Sequence, residues 1–278
     1  MNIFNIGSDY PSSIGNGFAA ENYIINGGLK GMGATYLNAL RTLEKSLISA
    51  GLTSLLEVLR VQTNQSARAD RLNFLNPWME EAAFYATYQN DDPTKHTLQG
   101  VLALQAVSTY KIKPDLTNFH LHAWNTTPED TAVDGRVLLG AGSGTSGATN
   151  NFMIALSRFR NAAVSGYVGP HAASISIGLV DEAIKTGVGL LSLSKVGNSY
   201  KLYLNGVVIQ AATYATGAMV SSGITTMYEG RGYASGVATM SAAKTAFLGY
   251  GATLWTDANE LAFFNALNTF KTAITPQP

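Results

Sequence analysis

The chain of 278 residues contains no cysteine, which excludes disulfide bridges and thiolate metal ligands. Charged residues make up only 13% of it, and 18 basic residues balance 18 acidic ones. Soluble domains usually carry about 25% charged residues, so this surface must be built largely from Ser, Thr, Asn, Gln, Gly and Tyr. Such a surface suits packing against other proteins or binding of sugars.

The zero formal net charge and the absence of a basic stripe exclude phosphate-driven binding of nucleic acid. No run reaches the roughly 18 apolar residues of a membrane-spanning helix, so we expect no membrane insertion. The first residues, "MNIFNIGSDYPSS", lack a basic segment followed by an apolar one. We therefore expect synthesis in a cytosol.

Apolar residues make up 46% of the chain, enough for a packed core. Residues 1–33 are rich in Gly, Asn and Ser, which predicts an irregular N-terminal arm. In one interpretation a neighbouring subunit orders this arm, with Tyr23, Ile24 and Ile25 as its anchors. The alternative is a floppy terminus.

Residues 34–66 are interpreted as a helical hairpin. Leucines from Leu37 to Leu47 recur at helical spacing, and Gly51 follows as a predicted C-cap. The segment "LTSLLEVLRV" predicts a second, shorter helix.

Residues 67–278 are interpreted as a β-sandwich, since their pattern changes to alternation with period two. "NFHLHAW" is the clearest case, with His120, His122 and Trp124 on one face and Phe119, Leu121 and Ala123 on the other. Many short strands without intervening helices indicate a mainly β fold, an antiparallel two-sheet jelly-roll sandwich.

The stretch "SYKLYLNGVVIQ" predicts a β-hairpin with a type I′ turn at Asn205 and Gly206. Tyr200, Leu202 and Leu204 lie on one predicted face, and Lys201 and Tyr203 lie on the other. A one-residue slip in register would turn Leu202 and Leu204 outward.

A C-terminal helix is predicted at about 256–274. Thr256 is its expected N-cap, and Asp257 in the first turn favours the helix dipole. Pro276 follows its end.

Several of these segments together resemble a known family. The two predicted helices are followed by "LNFLNPWMEEAAFYATY", "FHLHAWNTT", the Asn-Gly hairpin and "FLGYGATLWTDANELAFFNALNTF". In this order they resemble the concanavalin A-like (laminin-G/jelly-roll) modules of structural proteins of tailed bacteriophages, over about residues 35–275. The resemblance implies a sandwich with helices at both ends of the chain, a virion component, and no catalytic residues to carry over.

The sequence departs from that family at three places. Asn259 stands where Glu is usual, which predicts loss of the reciprocal half of a capping box. Trp78 stands where a charged residue is usual, and "LALQAVSTY" replaces a segment rich in Asn and Gly.

Motifs for catalysis are weak. "GSGTSG" at 142–147 is a G-x-G-x-x-G sequence, but a turn and a strand follow it where a dinucleotide site requires a helix. Glycosidases need two carboxylates across the substrate, whereas Glu80-Glu81 and Asp181-Glu182 are adjacent pairs. No G-x-S-x-G elbow occurs, so we expect no enzyme and no cofactor.

His120 and His122 could chelate a metal only with a third ligand such as His171. The favoured interpretation is a pair of half-buried histidines beside an aromatic residue, without a metal. Calcium would need clustered oxygen ligands, and no calcium-loop motif surrounds the candidates. These are Asp134, Asn150, Asn151 and Asp181.

"TTMYEGRGYASG" is the best candidate for recognition, because aromatic rings and planar polar groups suit sugars. Its four candidate residues are Tyr228, Glu229, Arg231 and Tyr233. The alternative is a polar hairpin tip whose tyrosines pack on the rim of the sandwich.

The first hypothesis is a non-enzymatic structural protein of a bacteriophage virion, made in the host cytoplasm. It would be a capsid decoration, head-fibre or tail-associated subunit, a homo-oligomer in contact with other virion proteins. The second hypothesis is a carbohydrate-binding or receptor-binding module for a host-surface glycan. A glycan-cleaving enzyme is the third and least favoured.

Overall fold

The computed structural model describes residues 18–61, 68–78, 83–87, 102–112, 118–127, 136–143, 152–160, 163–170, 175–179, 188–213, 225–229 and 244–275. The α-helices in these ranges are α1 (Ala19–Asn26), α2 (Ala34–Ser49) and α3 (Asp257–Ile274). The strands are β1 (Val58–Val61), β2 (Ala83–Thr87), β3 (Leu102–Ile112), β4 (Asn118–Asn125), β5 (Arg136–Ser143), β6 (Phe152–Arg160), β7 (Ala163–Pro170), β8 (Ile175–Leu179), β9 (Gly189–Val196), β10 (Ser199–Leu204), β11 (Val207–Thr213), β12 (Thr225–Glu229) and β13 (Thr245–Gly251).

The strands form two antiparallel sheets that pack face to face. Within the described residues, the first sheet has the order β1-β13-β4-β9-β10-β11 and the second has the order β2-β3-β12-β5-β6-β7-β8. Contacts of β4 with β5, of β6 with β9 and of β8 with β11 join the sheets. The predicted fold class is confirmed: a mainly β, antiparallel sandwich with an N-terminal helix pair and a C-terminal helix.

Two apolar layers lie on the two faces of the first sheet, and β4 shows how the sequence separates them. Phe119, Leu121 and Ala123 are buried between the sheets. Trp124 is buried on the opposite face, together with residues of α1, α2 and α3. The alternation predicted from "NFHLHAW" is therefore confirmed, and the helices cover the outer face of this sheet.

The predicted hairpin is also confirmed. Asn205 and Gly206 have φ angles of 51° and 82°, as a type I′ turn requires. A Cβ on Gly206 would lie 3.1 Å from the Cβ of Phe264 in α3. The turn therefore needs glycine both for its backbone and for its contact with the helix.

The irregular arm predicted for residues 1–33 is wrong for residues 19–26, which form α1. The Glu44 carboxylate of α2 accepts hydrogen bonds from the backbone N–H groups of Ala19 at 2.6 Å and Ala20 at 3.2 Å. A side chain distant in sequence thus satisfies the first turn of α1, since Phe18 provides no side-chain cap. Residues 1–17 lie outside the described residues.

Two of the three predicted anchors contact their own chain. Tyr23 is 0% exposed and Ile24 is 3% exposed, and the Tyr23 hydroxyl donates to the carbonyl oxygen of Val61 at 2.8 Å. The prediction that they dock on another subunit is therefore corrected to an intramolecular role. Ile25 is 51% exposed, and its contact with another subunit stays a prediction.

The helical hairpin predicted for 34–66 is wrong in its second half. Ala50, not the predicted Gly51, is the C-cap of α2, and Gly51 follows it in the left-handed conformation with φ 68°. "LTSLLEVLRV" then forms a 3-10 turn at Leu52–Ser54 and strand β1, because β1 pairs with β13 and is buried along its whole length. The helix pair is instead α1 and α2, and the sandwich begins before the predicted boundary at residue 67.

Among the helices that the structure describes, none combines the length and the apolar character of a membrane-spanning segment.

Candidate functional site

A cleft of about 440 Å³ lies on the outer face of the first sheet, beside the start of α3. This volume falls in the range of sites for small organic ligands, roughly 300–1,000 Å³. The cleft is lined by β9, β10 and the segment that leads into α3. The lining residues are Ser194, Val196, Ser199, Lys201, Tyr203, Leu254, Trp255, Thr256, Asp257 and Ala258.

A capping box fixes the start of α3 at the edge of the cleft. The Thr256 hydroxyl accepts a hydrogen bond from the backbone N–H of Asn259 at 3.2 Å. The Asn259 side-chain oxygen accepts one from the backbone N–H of Thr256 at 2.9 Å. The predicted loss of the reciprocal half is therefore wrong, because the shorter asparagine still reaches the N-cap backbone.

An ion pair forms the polar edge of the cleft. The Lys201 ammonium donates to both carboxylate oxygens of Asp257 at 2.7 Å, and the Tyr203 hydroxyl donates to Oδ1 at 2.9 Å. The hydrogen bond from Lys201 lowers the pKa of Asp257 below its usual value, with a smaller contribution from Tyr203, while partial burial acts in the opposite direction. Asp257 is thus ionised at neutral pH.

The ion pair is open to solvent, and an apolar wall accompanies it. The side chains of Lys201 and Asp257 are 35% and 56% exposed, and Leu254 is 50% exposed. Lys201 uses two of its three N–H groups on Asp257, and the carboxylate keeps free lone pairs. A ligand in the cleft therefore meets a charged hydrogen-bond donor, carboxylate acceptors and an apolar surface.

Trp255 separates the cleft from a buried polar cluster of His120, His122 and Glu260. Its ring stacks on His120 with a centroid separation of 4.2 Å. Its indole N–H donates to Oε2 of Glu260 at 2.9 Å, and the same oxygen lies 3.2 Å from Nδ1 of His122. All three cluster residues are at most 1% exposed.

The hydrogen bonds of the cluster fix the tautomer of His120. Nε2 of His120 lies 3.1 Å from the carbonyl oxygen of Leu55, which can only accept, so Nε2 carries the proton. Nδ1 of His120 then accepts from Nε2 of His122 at 2.8 Å. Burial is the main cause that lowers the pKa of His120 well below its usual value, and His122 adds to it. His120 is therefore neutral in the folded protein.

His120 and His122 thus lie together, as predicted. Both are fully buried, whereas the sequence predicted half burial. Within the described parts of the chain, no group of three or more His, Cys, Asp or Glu residues is arranged to hold a metal ion. His171 lies outside the described residues, and so do the candidate calcium ligands and both adjacent carboxylate pairs.

The predicted recognition segment stays a prediction. Tyr228 and Glu229 lie at the end of β12, but their side chains fall outside the description. Arg231 and Tyr233 lie outside the described residues. Of "GSGTSG", only Gly142 and Ser143 are described, as the end of β5.

Sequence reasoning did not identify the residues that form the cleft. It placed Lys201 and Tyr203 on the outer face of the hairpin and Asp257 in the first helical turn, but gave no sign that these elements meet. Lys201 and Asp257 are 56 positions apart. A lysine on an otherwise uncharged strand was the one available signal.

No protein-family model matches this sequence, and no curated protein matches it. Among solved structures, it is similar to Trypanosoma rangeli sialidase in complex with sialic acid, with a TM-score of 0.54 and 15% identity over 79% of this chain and 34% of that chain. The same sialidase in complex with a difluorinated KDN compound has a TM-score of 0.53 and 14% identity, over 85% of this chain and 40% of that chain. This chain thus spans well under half of the sialidase chains.

A third similar structure is domain 4 of AbnA, a GH43 extracellular arabinanase from Geobacillus stearothermophilus, in complex with arabinotriose. Its TM-score is 0.48 at 9% identity, over 74% of this chain and 86% of that chain. The similarity to the sialidase, at the identities found, shows the fold alone: a lectin-like, jelly-roll β-sandwich.

Proposed function

We propose that this chain is a non-enzymatic carbohydrate-binding module and that the cleft at Lys201 and Asp257 is its glycan site. The observation that carries the proposal is the open ion pair facing an apolar wall at Leu254. Sugars present hydroxyl groups in fixed directions and apolar C–H surfaces between them. A site with a few placed polar groups on an apolar lining matches both features.

The cleft lacks the groups for glycoside hydrolysis. Among the described residues that line it, Asp257 is the one carboxylate, whereas most glycosidases use two across the scissile bond. The hydrogen bond from Lys201 lowers the pKa of Asp257, which makes it a poor proton donor at neutral pH. Binding without bond cleavage is the activity that this chemistry supports.

The test is a glycan array probed with the wild-type chain and with Ser199→Trp, which fills the cleft from its lining. Ser49→Trp is the matched control, because Ser49 is exposed at the end of α2. We expect wild type and the control to bind the same glycans and Ser199→Trp to lose them. Binding by no form, or unchanged binding by Ser199→Trp, would contradict the proposal.

A second proposal concerns where the module works. The resemblance over residues 35–275 and the 13% charge content support a subunit of a tailed-phage virion that displays this sandwich, in contact with itself and with other virion proteins. The residues from Tyr228 to Tyr233 would then be a contact with a partner protein.

This role is tested by mass spectrometry of purified phage particles and by light scattering of the purified chain. We expect the chain in the particles and an oligomer in solution. A monomer that is absent from the particles would overturn the virion proposal without affecting the glycan proposal.

A further inference from the structure

The charges that face the cleft are already paired. Among the described lining residues, Lys201 and Asp257 alone carry charge, and the ammonium contacts both carboxylate oxygens at 2.7 Å. A ligand therefore meets a local net charge of zero. This matters for sugars, which occur both as neutral hexoses or pentoses and as acidic forms such as sialic and uronic acids.

The pair is also held in place before any ligand arrives. Tyr203 donates to Oδ1 of Asp257 at 2.9 Å, and Ser194 lies 3.2 Å from the Tyr203 hydroxyl. Tyr203 is 1% exposed, so the sheet fixes its position. A preorganised pair costs a ligand little ordering entropy, and moving Lys201 away to serve another anion would break two hydrogen bonds.

An acidic sugar would be repelled at this site. To reach the Lys201 ammonium, its carboxylate must approach the ionised Asp257, and like charges placed together oppose binding. Two neighbouring hydroxyl groups have no such conflict. One accepts from the remaining N–H of Lys201, and the other donates to a free lone pair of Asp257.

We propose that the cleft selects uncharged sugars with vicinal hydroxyl groups and rejects sialic and uronic acids, because Asp257 neutralises Lys201. This inference rests on the proposed glycan function. It predicts a selectivity that one substitution reverses: Asp257→Asn keeps the shape of the side chain but leaves the Lys201 charge uncompensated.

The test is an array of matched glycan pairs, each neutral oligosaccharide printed beside its sialylated form, with affinities then measured by calorimetry. For wild type we expect neutral members to bind at least about tenfold more tightly than their sialylated partners. Asp257→Asn should gain affinity for the sialylated members by about tenfold or more and lose affinity for the neutral ones.

The matched control is Glu21→Gln, because Glu21 forms a similarly exposed ion pair with Arg41, at 2.5 Å, and neither residue lines the cleft. It should leave both affinities unchanged. Wild-type binding of sialylated members as tight as that of neutral ones, or no gain in Asp257→Asn, overturns the selectivity while leaving the glycan function standing. Absence of any glycan binding by wild type overturns the function itself.

Discussion

Two polar clusters lie on opposite sides of the Trp255 ring, and they differ in their access to solvent. On the inner side, His120, His122 and Glu260 are at most 1% exposed and contact one another. On the outer side, the side chains of Lys201 and Asp257 are 35% and 56% exposed.

This difference in access decides which cluster a ligand can reach. The inner groups are sealed, so their hydrogen bonds act on stability, where an unpaired buried polar group is costly. The outer ion pair adds little to stability because water competes for it, but a ligand can reach it. Residue type alone would assign the functional role to the inner cluster, since histidines are the more common catalytic and metal-binding residues.

The largest effect on stability should come from Glu260→Ala. The change leaves the Trp255 indole N–H buried without its acceptor and removes the carboxylate beside His122, so we expect the free energy of unfolding to fall by about 3 kcal/mol. Lys201→Ala, which breaks the open pair, should cost less than about 1 kcal/mol. Urea denaturation measures both, and equal losses would remove the distinction between the clusters.

Overpacking the inner cluster should have the next largest effect. In Gly251→Ala the new methyl group would overlap the carbonyl oxygen of Leu55 and lie 2.6 Å from Nε2 of His120. We expect a loss of about 1–3 kcal/mol. Gly31→Ala is the control, since no atom lies within 4 Å of its added Cβ. An unchanged free energy of unfolding in Gly251→Ala would mean that the cluster is loosely packed.

Acid should weaken the fold through the inner cluster. Burial lowers the pKa of His120 below its unfolded value of 6.5, so the unfolded chain binds the proton more readily. The stabilisation is complete above pH 6.5 and is lost as pH falls below it, by up to about 1.4 kcal/mol per pH unit. Urea denaturation from pH 7.5 to 5.5 measures this slope, and His120→Gln should flatten it. A wild-type stability that is constant over this range would contradict the neutral, buried histidine.

The smallest effect concerns the apolar wall of the cleft. Leu254 and Leu261 are 50% and 48% exposed, but only Leu254 lines the cleft. Leu254→Asn should weaken glycan binding about fivefold, equivalent to about 1 kcal/mol of lost apolar contact. Leu261→Asn should leave calorimetric affinity unchanged, and equal losses in the two variants would place the ligand elsewhere.

Elements with local signals were predictable from the sequence. Asn205 and Gly206 define their hairpin because few other dipeptides adopt two positive φ angles. The alternation around His120 identified the two faces of β4, and Thr256 identified the start of α3. In each case the deciding residues lie within one turn or one strand.

Elements that depend on distant partners were not predictable. α1 needs the carboxylate of Glu44, which caps it from another helix. β1 has an apolar pattern that fits a helix equally well, and its pairing with β13 decides the outcome. The cleft combines Lys201 of one hairpin with Asp257 of α3, and no local sequence pattern predicts the contact between them.

We expect glycans to bind in the cleft and not at the segment from Tyr228 to Tyr233. One glycan array, probed in parallel with wild type, Ser199→Trp and Arg231→Ala, tests this claim most directly. We predict that Arg231→Ala keeps the wild-type binding pattern and that Ser199→Trp loses it. Loss of binding in Arg231→Ala with full binding in Ser199→Trp would contradict the account and place recognition at the segment from Tyr228 to Tyr233.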